Sequence, residues 1–129
     1  MTAGSTKHSR TVVSITRELM AATRIAATSK PLGVEVITAR PDETPAILRG
    51  LEVHLVLLDL EAEPEPDRLI RALKSEPETR AVPLVCFYPH VRNALRESAL
   101  AAGADQVLPR SAFFRRLPAL LAGEADTPA

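Results

Sequence analysis

The stretch Val53-His54-Leu55-Val56-Leu57-Leu58-Asp59-Leu60 decides the fold, because it is an almost continuous apolar segment that ends on one carboxylate. A strand that is apolar on both faces belongs in a parallel sheet that is covered on both sides. The carboxyl end of such a strand is where an acidic side chain reaches solvent. Asp59 is therefore the first candidate for a functional residue.

Similar strand-like segments alternate with helical ones along the rest of the chain. Strands are predicted at residues 11–15, 34–38, 53–59, 84–88 and 106–108. Helices are predicted at residues 18–29, 44–49, 67–74 and 93–102, and a fifth helical segment starts with Ser111 as its cap. Pro118 is expected to kink or interrupt that last helix near Leu117. This alternation indicates an α/β fold, a five-stranded parallel sheet with helices on both faces, over residues 11–123 between polar tails at 1–10 and 124–129.

Length, charge and cysteine content limit the classes of protein. A chain of 129 residues fits one domain, and its 16 basic residues balance 16 acidic ones, which argues against nucleic-acid binding. No apolar stretch approaches the roughly 20 residues of a membrane span, and the start of the chain lacks the apolar core of a signal peptide. The single cysteine, Cys86, is expected to be a buried small hydrophobe. We therefore expect a cytoplasmic protein that binds neither membrane nor nucleic acid.

Reactive groups are expected at the carboxyl ends of the strands, where parallel sheets of this kind bind ligands. These positions hold Thr16, Arg17, Asp59, Tyr88, His90, Arg110 and Ser111. A nucleophile, base and acid drawn from Ser111, His90 and Asp59 would suit a small hydrolase, but no nucleophile-elbow glycines surround the serine. Because the chain also lacks a glycine-rich phosphate loop, metal-spaced histidines and a Cys-x-x-Cys motif, no cofactor or metal is expected.

Three motifs resemble the receiver domain of bacterial two-component response regulators, and the resemblance covers residues 11–123. Residues 54–60 look like the third strand of that family, with its phosphoacceptor aspartate at Asp59. Gly103-Ala104-Asp105 looks like the family's turn before the fifth strand, and Gly33-Val34-Glu35-Val36 resembles its turn into the second. The resemblance implies the flavodoxin-like (CheY-like) strand order 2-1-3-4-5.

Two further receiver-site positions follow by counting from these motifs. Tyr88 stands where the family has a threonine or serine, and its distance from Gly103 is the separation that the family shows. Arg110, seven residues after Gly103, stands at the position of the invariant lysine. The resemblance thus assigns both residues to the receiver site, but with side chains unlike those of the family.

The acidic pair that holds magnesium in the family is missing. Thr16 and Arg17 take its place, or residues 14 and 15 under an alternative alignment, and neither pair binds a dication. Phosphoryl transfer relies on magnesium to neutralise charge, so phosphorylation of Asp59 should be slow or absent. Two arrangements stay open. Arg17 pairs with Asp59 and Arg110 in a metal-free cluster, or Arg17 points to solvent and Arg110 alone contacts Asp59.

These departures indicate an atypical receiver (pseudo-receiver), a non-enzymatic signalling protein that acts by binding partner proteins of its pathway. Because no output domain follows the receiver-like fold, the signal is expected to leave through the fourth helix, fifth strand and fifth helix. The expected interaction residues are Phe113, Phe114, Arg115 and Arg116, and a second copy of the chain is a possible partner. In the alternative, the two phenylalanines only pack the core.

Two other functions remain open at this point. The runner-up is a phosphorylatable single-domain response regulator with Asp59 as the acceptor, in which Glu18 or Glu61 partly replaces the lost acids. The remote alternative is the small hydrolase that would use Ser111 or His90.

Overall fold

The computed structural model of the protein describes residues 10–89 and 93–123. In chain order its strands and α-helices are β1 (Arg10–Ile15), α1 (Leu19–Ser29), β2 (Val34–Thr38), α2 (Thr44–Gly50), β3 (Leu55–Asp59), α3 (Pro66–Ser75), β4 (Leu84–Tyr88), α4 (Asn93–Ala102), β5 (Gln106–Pro109) and α5 (Arg110–Ala122). Short 3₁₀ turns at Lys30–Leu32 and Pro41–Glu43 precede β2 and α2. Arg10, expected in the tail, begins β1. The rest of that tail, the tail at 124–129 and His90 lie outside the described residues.

The strands form one parallel sheet in the order β2-β1-β3-β4-β5. This confirms the predicted fold and strand order. In register, Ile15 of β1 lies opposite Leu58 of β3, and Asp59 lies opposite Phe87 of β4. The ends of β1, β3 and β4 therefore meet at one edge, with Asp59 between its two neighbours.

Helices cover both faces of the sheet, which explains why β3 is apolar along its length. On one face, Leu57 packs with Ile25 of α1 and Phe113 of α5. On the other face, Leu58 packs with residues of α2, α3 and α4 such as Ile70. Every residue of β3 is buried. The central strand thus contributes apolar side chains to both core layers.

The last helix differs from its prediction. α5 is one continuous helix from Arg110 to Ala122 with Pro118 inside it, and Pro109 rather than Ser111 takes the N-cap position. Proline in a helix removes a backbone hydrogen bond at a cost of about 3 kcal/mol or more. The helix continues because Pro118 lies on its exposed side, while Leu117 and Leu121 on the other side are fully buried. Tertiary packing outweighs the local preference of proline.

Cys86 lies in β4 as a free, buried thiol. Burial raises its pKa well above the ordinary range, with smaller contributions from nearby charges. The thiol therefore behaves as the small hydrophobe that was predicted. Within residues 10–89 and 93–123, no helix is long and apolar enough to cross a lipid bilayer.

Candidate functional site

Asp59 ends β3 with only 7% of its surface exposed, and both of its carboxylate oxygens accept hydrogen bonds. The Thr16 hydroxyl donates to Oδ2 at 2.7 Å, and the Glu61 backbone N–H donates to Oδ1 at 3.0 Å. Register explains the first contact, because Ile15 pairs with Leu58 and the next residue on each strand is Thr16 or Asp59. The carboxylate is held by two neutral donors.

The second donor comes from the tight turn after β3. The Ala62 N–H donates to the backbone oxygen of Asp59 at 2.9 Å, and the Leu60 N–H donates to the backbone oxygen of Phe87 at 3.0 Å. These bonds fix the turn and bring the Glu61 N–H back over the carboxylate. The position of Asp59 is therefore set by backbone geometry as well as by Thr16.

Thr16 also organises the start of α1. Its hydroxyl oxygen accepts a hydrogen bond of 3.2 Å from the Glu18 backbone N–H while its hydroxyl proton goes to Asp59. A hydroxyl has one proton to donate, so that proton is committed to the carboxylate. Thr16 thus joins the end of β1, the start of α1 and the acid of β3.

Arg110 pairs with Glu18 and not with Asp59. Two nitrogens of its guanidinium contact the two carboxylate oxygens of Glu18, with Nη2 and Oε2 3.1 Å apart. The guanidinium also lies 5.1 Å from the centroid of the Phe114 ring, and Arg24 lies over the same ring at 4.1 Å. Glu18, at the start of α1, therefore pairs with the arginine that was expected to contact Asp59.

Arg17 is exposed and makes no hydrogen bond or ion pair with any described residue. The first of the two open arrangements, a metal-free cluster of Arg17, Asp59 and Arg110, is therefore not formed. The other arrangement had Arg17 in solvent and Arg110 in contact with Asp59. Its first part is correct, and its second part is wrong because Arg110 pairs with Glu18. Thr16 replaces both arginines as the direct partner of Asp59.

Tyr88 is not part of this site. Successive side chains of a strand point to opposite faces, and Phe87 is the residue of β4 that lies opposite Asp59. Tyr88 is 2% exposed and packs in the core layer on the side of α2, α3 and α4. The side chain of Tyr88 is thus packed in the core, and Phe87 is the residue of β4 that lies opposite Asp59. The assignment of Tyr88 to the family's switch position rests on the sequence count and stays a prediction.

A cleft of about 320 Å³ opens above Asp59. We call it the Asp59 cleft, and its lining residues are Arg17, Glu18, Asp59, Glu61, Phe87, Pro89 and Arg110. Ser111, proposed above as a nucleophile, is exposed in the first turn of α5 and does not line it. The serine is therefore not placed to react with a ligand held against Asp59.

The residues around Asp59 do not fit the magnesium ion that the receiver resemblance implies. Magnesium demands oxygen ligands in near-octahedral geometry, usually with carboxylates among them. The residue beside Asp59 is a neutral threonine that donates a proton, and Glu18 is engaged by Arg110. In the described part of the chain, no three His, Cys, Asp or Glu side chains are grouped so that they could hold a metal ion.

Of the four residues expected to form the interaction surface on α5, the two phenylalanines are buried and the two arginines are at least partly exposed. Phe113 is 0% and Phe114 7% exposed, and Phe113 stacks on Phe87 with ring centroids 4.2 Å apart. Both phenylalanines belong to the core, which corrects their assignment to a partner surface. Arg115 is exposed and Arg116 is half-buried, so a surface here has to be formed around these arginines.

Neither a family model nor a curated protein matches the sequence. Solved structures do match the fold. A response regulator from Thermotoga maritima has a TM-score of 0.76 at 19% identity, over 92% of this chain and 99% of that one. The chemotaxis response regulator CheY4 of Vibrio cholerae has a TM-score of 0.74 at 16% identity, over 89% and 98%.

The phosphorylated cyanobacterial phytochrome response regulator RcpA matches over 91% of both chains, with a TM-score of 0.74 and 18% identity. Each of these three matches covers about nine tenths of this chain. The chain therefore has the fold of the CheY-like receiver domains of response regulators.

Proposed function

We propose that this protein is an atypical receiver that signals by binding partner proteins and is not phosphorylated by the magnesium-dependent route. The observation that carries the proposal is the Thr16–Asp59 hydrogen bond, at the place where receivers hold a pair of acids. A neutral hydroxyl supplies Asp59 with a fixed donor where a metal ion would otherwise stand. The cytoplasmic location expected from the sequence belongs to the same proposal.

The electrostatics of the Asp59 cleft support this function. Transfer of a phosphoryl group needs positive charge on its oxygens, and in receivers the metal and the lysine supply it. Here the cation at the lysine position, Arg110, is neutralised by Glu18. Among the described cationic side chains that line the cleft, only Arg17 is not ion-paired, and it is exposed to solvent. The negative charge of a phosphoryl group in transfer is therefore poorly compensated.

The signal leaves, in this proposal, through the face formed by α4, β5 and α5. Arg115 and Arg116 give that face positive charge, and Leu100 of α4 is 37% exposed. A protein of a signalling pathway is the expected partner. A second copy of the chain is the alternative occupant, and sedimentation equilibrium over a range of concentrations distinguishes a dimer from a monomer.

A phosphorylation assay tests the proposal. The protein is incubated with acetyl phosphate, with and without Mg²⁺, and its intact mass is measured, with a response regulator that has both acids as the assay control. We expect no mass gain for the natural sequence. A variant that restores the pair, Thr16→Asp with Arg17→Asp, should gain one phosphoryl group with Mg²⁺, and Asp59→Asn in that background should abolish the gain.

One observation favours a second candidate, a phosphorylatable single-domain response regulator. The Asp59 cleft is open and has two arginines on its walls, Arg17 and Arg110, which could orient a phosphodonor. In the same assay, a phosphoryl mass gain of the natural sequence that Asp59→Asn removes would overturn the first proposal and support this one.

A further inference from the structure

A second, larger cleft of about 540 Å³ opens on the other side of Thr16. The loops that follow β1, β2 and β3 form its walls, and we call it the β1–β3 cleft. Its volume lies within the range of roughly 300–1,000 Å³ that is typical of small-molecule sites. It is also larger than the Asp59 cleft, although the receiver resemblance assigns no role to it.

The position of this cleft is where ligand sites form in such sheets. In the order β2-β1-β3-β4-β5, the chain runs from β1 outward to β2 and then returns to β3 on the other side of β1. The loops after β1 and β3 diverge at that point and leave a crevice outside the carboxyl ends of the strands. The β1–β3 cleft fills this crevice.

The floor of the cleft is apolar. Ile15, Ala39 and Ala62 are each at most 6% exposed and line it. The two alanines leave space that larger side chains would fill. Pro41 and Pro64 stand on its walls, and their fixed φ angles reduce the entropy that a loop loses when a ligand binds.

Some charged side chains on the walls of the cleft are ion-paired with each other, and others are not. Arg40 is engaged by Asp42 and Glu43, each 3.4 Å from its guanidinium. Arg17 on the β1 side and Glu63 on the β3 side also line the cleft, and neither has a hydrogen bond or ion pair with a described residue. An apolar floor thus lies between one unpaired cation and one unpaired anion.

We propose that the β1–β3 cleft binds a small zwitterionic organic molecule of the amino-acid class. Its carboxylate pairs with Arg17, its ammonium group pairs with Glu63, and its apolar body lies on Ile15, Ala39 and Ala62. A ligand with a single charge would pair with either Arg17 or Glu63 and leave the other side chain without an ion pair. This proposal stands whether or not Asp59 is phosphorylated.

Two residues couple ligand binding in this cleft to the surroundings of Asp59. Thr16 lines the β1–β3 cleft and donates its hydroxyl proton to Asp59, and Arg17 lines both clefts. A ligand that draws Arg17 toward the larger cleft removes positive charge from the Asp59 cleft. The amide signals of Thr16 and Glu61 are therefore expected to respond to binding together with those of the cleft floor.

Titrations followed by ¹H–¹⁵N correlation spectra test the proposal on the full chain. The probe is 4-(aminomethyl)benzoate, and its single-charge controls are benzoate and benzylamine. The zwitterion should shift the amide signals of Ala39 and Ala62 saturably and bind about threefold more tightly than either control, as expected of one additional exposed ion pair.

Two variants and a matched control show which charges act. In Arg17→Gln, the zwitterion should bind no more tightly than benzylamine, and in Glu63→Gln no more tightly than benzoate. Arg71→Gln removes an exposed arginine of α3 that lines neither cleft and should leave all three affinities unchanged. The spectrum of each variant without ligand reports whether the variant is folded.

Three results would overturn the proposal. The first is the absence of saturable shifts at the cleft floor with folded protein. The second is equal affinity for the zwitterion and its controls, or an equal loss of affinity in Arg71→Gln. The third is binding only of an extended peptide, which would occupy the cleft together with the neighbouring groove that shares Pro41, Asp42, Glu63 and Pro64 with it.

Discussion

Glu18 and Arg110 form a two-point ion pair that joins the start of α1 to the start of α5, 92 positions apart in the chain. The pair engages both ends of the Arg110 guanidinium, and no hydrogen bond or ion pair joins Arg110 to Asp59. Arg110 is further restrained by the Phe114 ring beneath it. Arg110 is therefore held by a contact between two helices and not by the aspartate.

Glu18→Gln should release Arg110 at a small cost in stability. The side chains of Glu18 and Arg110 are 46% and 27% exposed, so the pair is expected to contribute about 0.5–1 kcal/mol to the free energy of unfolding. Urea denaturation at low and high salt measures it. The difference between Glu18→Gln and the natural sequence should shrink at high salt, because salt screens exposed charges. A difference that salt does not change would contradict an ionic origin.

Arg110→Lys is the matched test of geometry. Lysine keeps the charge but cannot make the two parallel contacts of a guanidinium, nor stack on a ring in the same way. We expect this variant to lose about as much stability as Glu18→Gln, roughly 0.5–1 kcal/mol. A fully stable Arg110→Lys protein would show that charge alone accounts for the pair.

Thr16→Val should destabilise the fold because it leaves Asp59 Oδ2 without its hydroxyl donor. Valine has nearly the shape of threonine, so packing is preserved while the 2.7 Å hydrogen bond is lost. Loss of a donor to a nearly buried carboxylate costs about 1–3 kcal/mol. Thr16→Ser keeps the hydroxyl and should cost much less. Equal losses in the two variants, measured by urea denaturation, would assign the effect to packing.

Much of the fold could be predicted from short motifs. The apolar run that ends at Asp59 has the composition of a strand buried on both faces, and the structure places it at the centre of the sheet. The position of Asp59 at an open edge follows from the same run. Local patterns of this kind are decisive because burial on both faces allows few other structures.

The ion pair near Asp59 and the buried face of α5 could not be predicted from the sequence. A surface acid and a surface cation pair according to three-dimensional proximity, so the contact between Glu18 and Arg110 leaves no local signal. The burial of Phe113 and Phe114 likewise depends on which helix face meets the sheet. The core packing of Tyr88 follows from strand alternation, but only once the register that places Phe87 opposite Asp59 is known.

Gly103→Ala should destabilise the turn before β5, whereas Gly50→Ala should not. Gly103 has φ +122°, and an added Cβ would meet Lys74 Cγ and Cβ at 3.1 and 3.2 Å. Such a backbone conformation costs about 1–3 kcal/mol in a non-glycine residue. Gly50 ends α2 with open space around it, so alanine there should stabilise by about 0.5–1 kcal/mol. Thermal denaturation of both variants tests the contrast, and a similar change in both would contradict it.

The same turn is tied to Lys74, which explains why space at Gly103 is limited. Lys74 Nζ donates to the backbone oxygens of Arg80 and Val82 at 3.0 and 2.9 Å and to Asp105 Oδ2 at 2.7 Å. Asp105 Oδ2 also accepts the Leu84 N–H at 2.7 Å. The lysine stem cannot move away from a new methyl group without loosening these contacts.

Cys86 should make stability fall at alkaline pH. Burial raises the pKa of its thiol far above the ordinary value of 9.0, so above that pH the unfolded chain loses a proton that the folded protein keeps. Stability from this group is complete below pH 9.0 and declines as pH rises beyond it. Urea denaturation between neutral and alkaline pH should show a steeper decline for the natural sequence than for Cys86→Val. Parallel declines would show that other groups cause the loss.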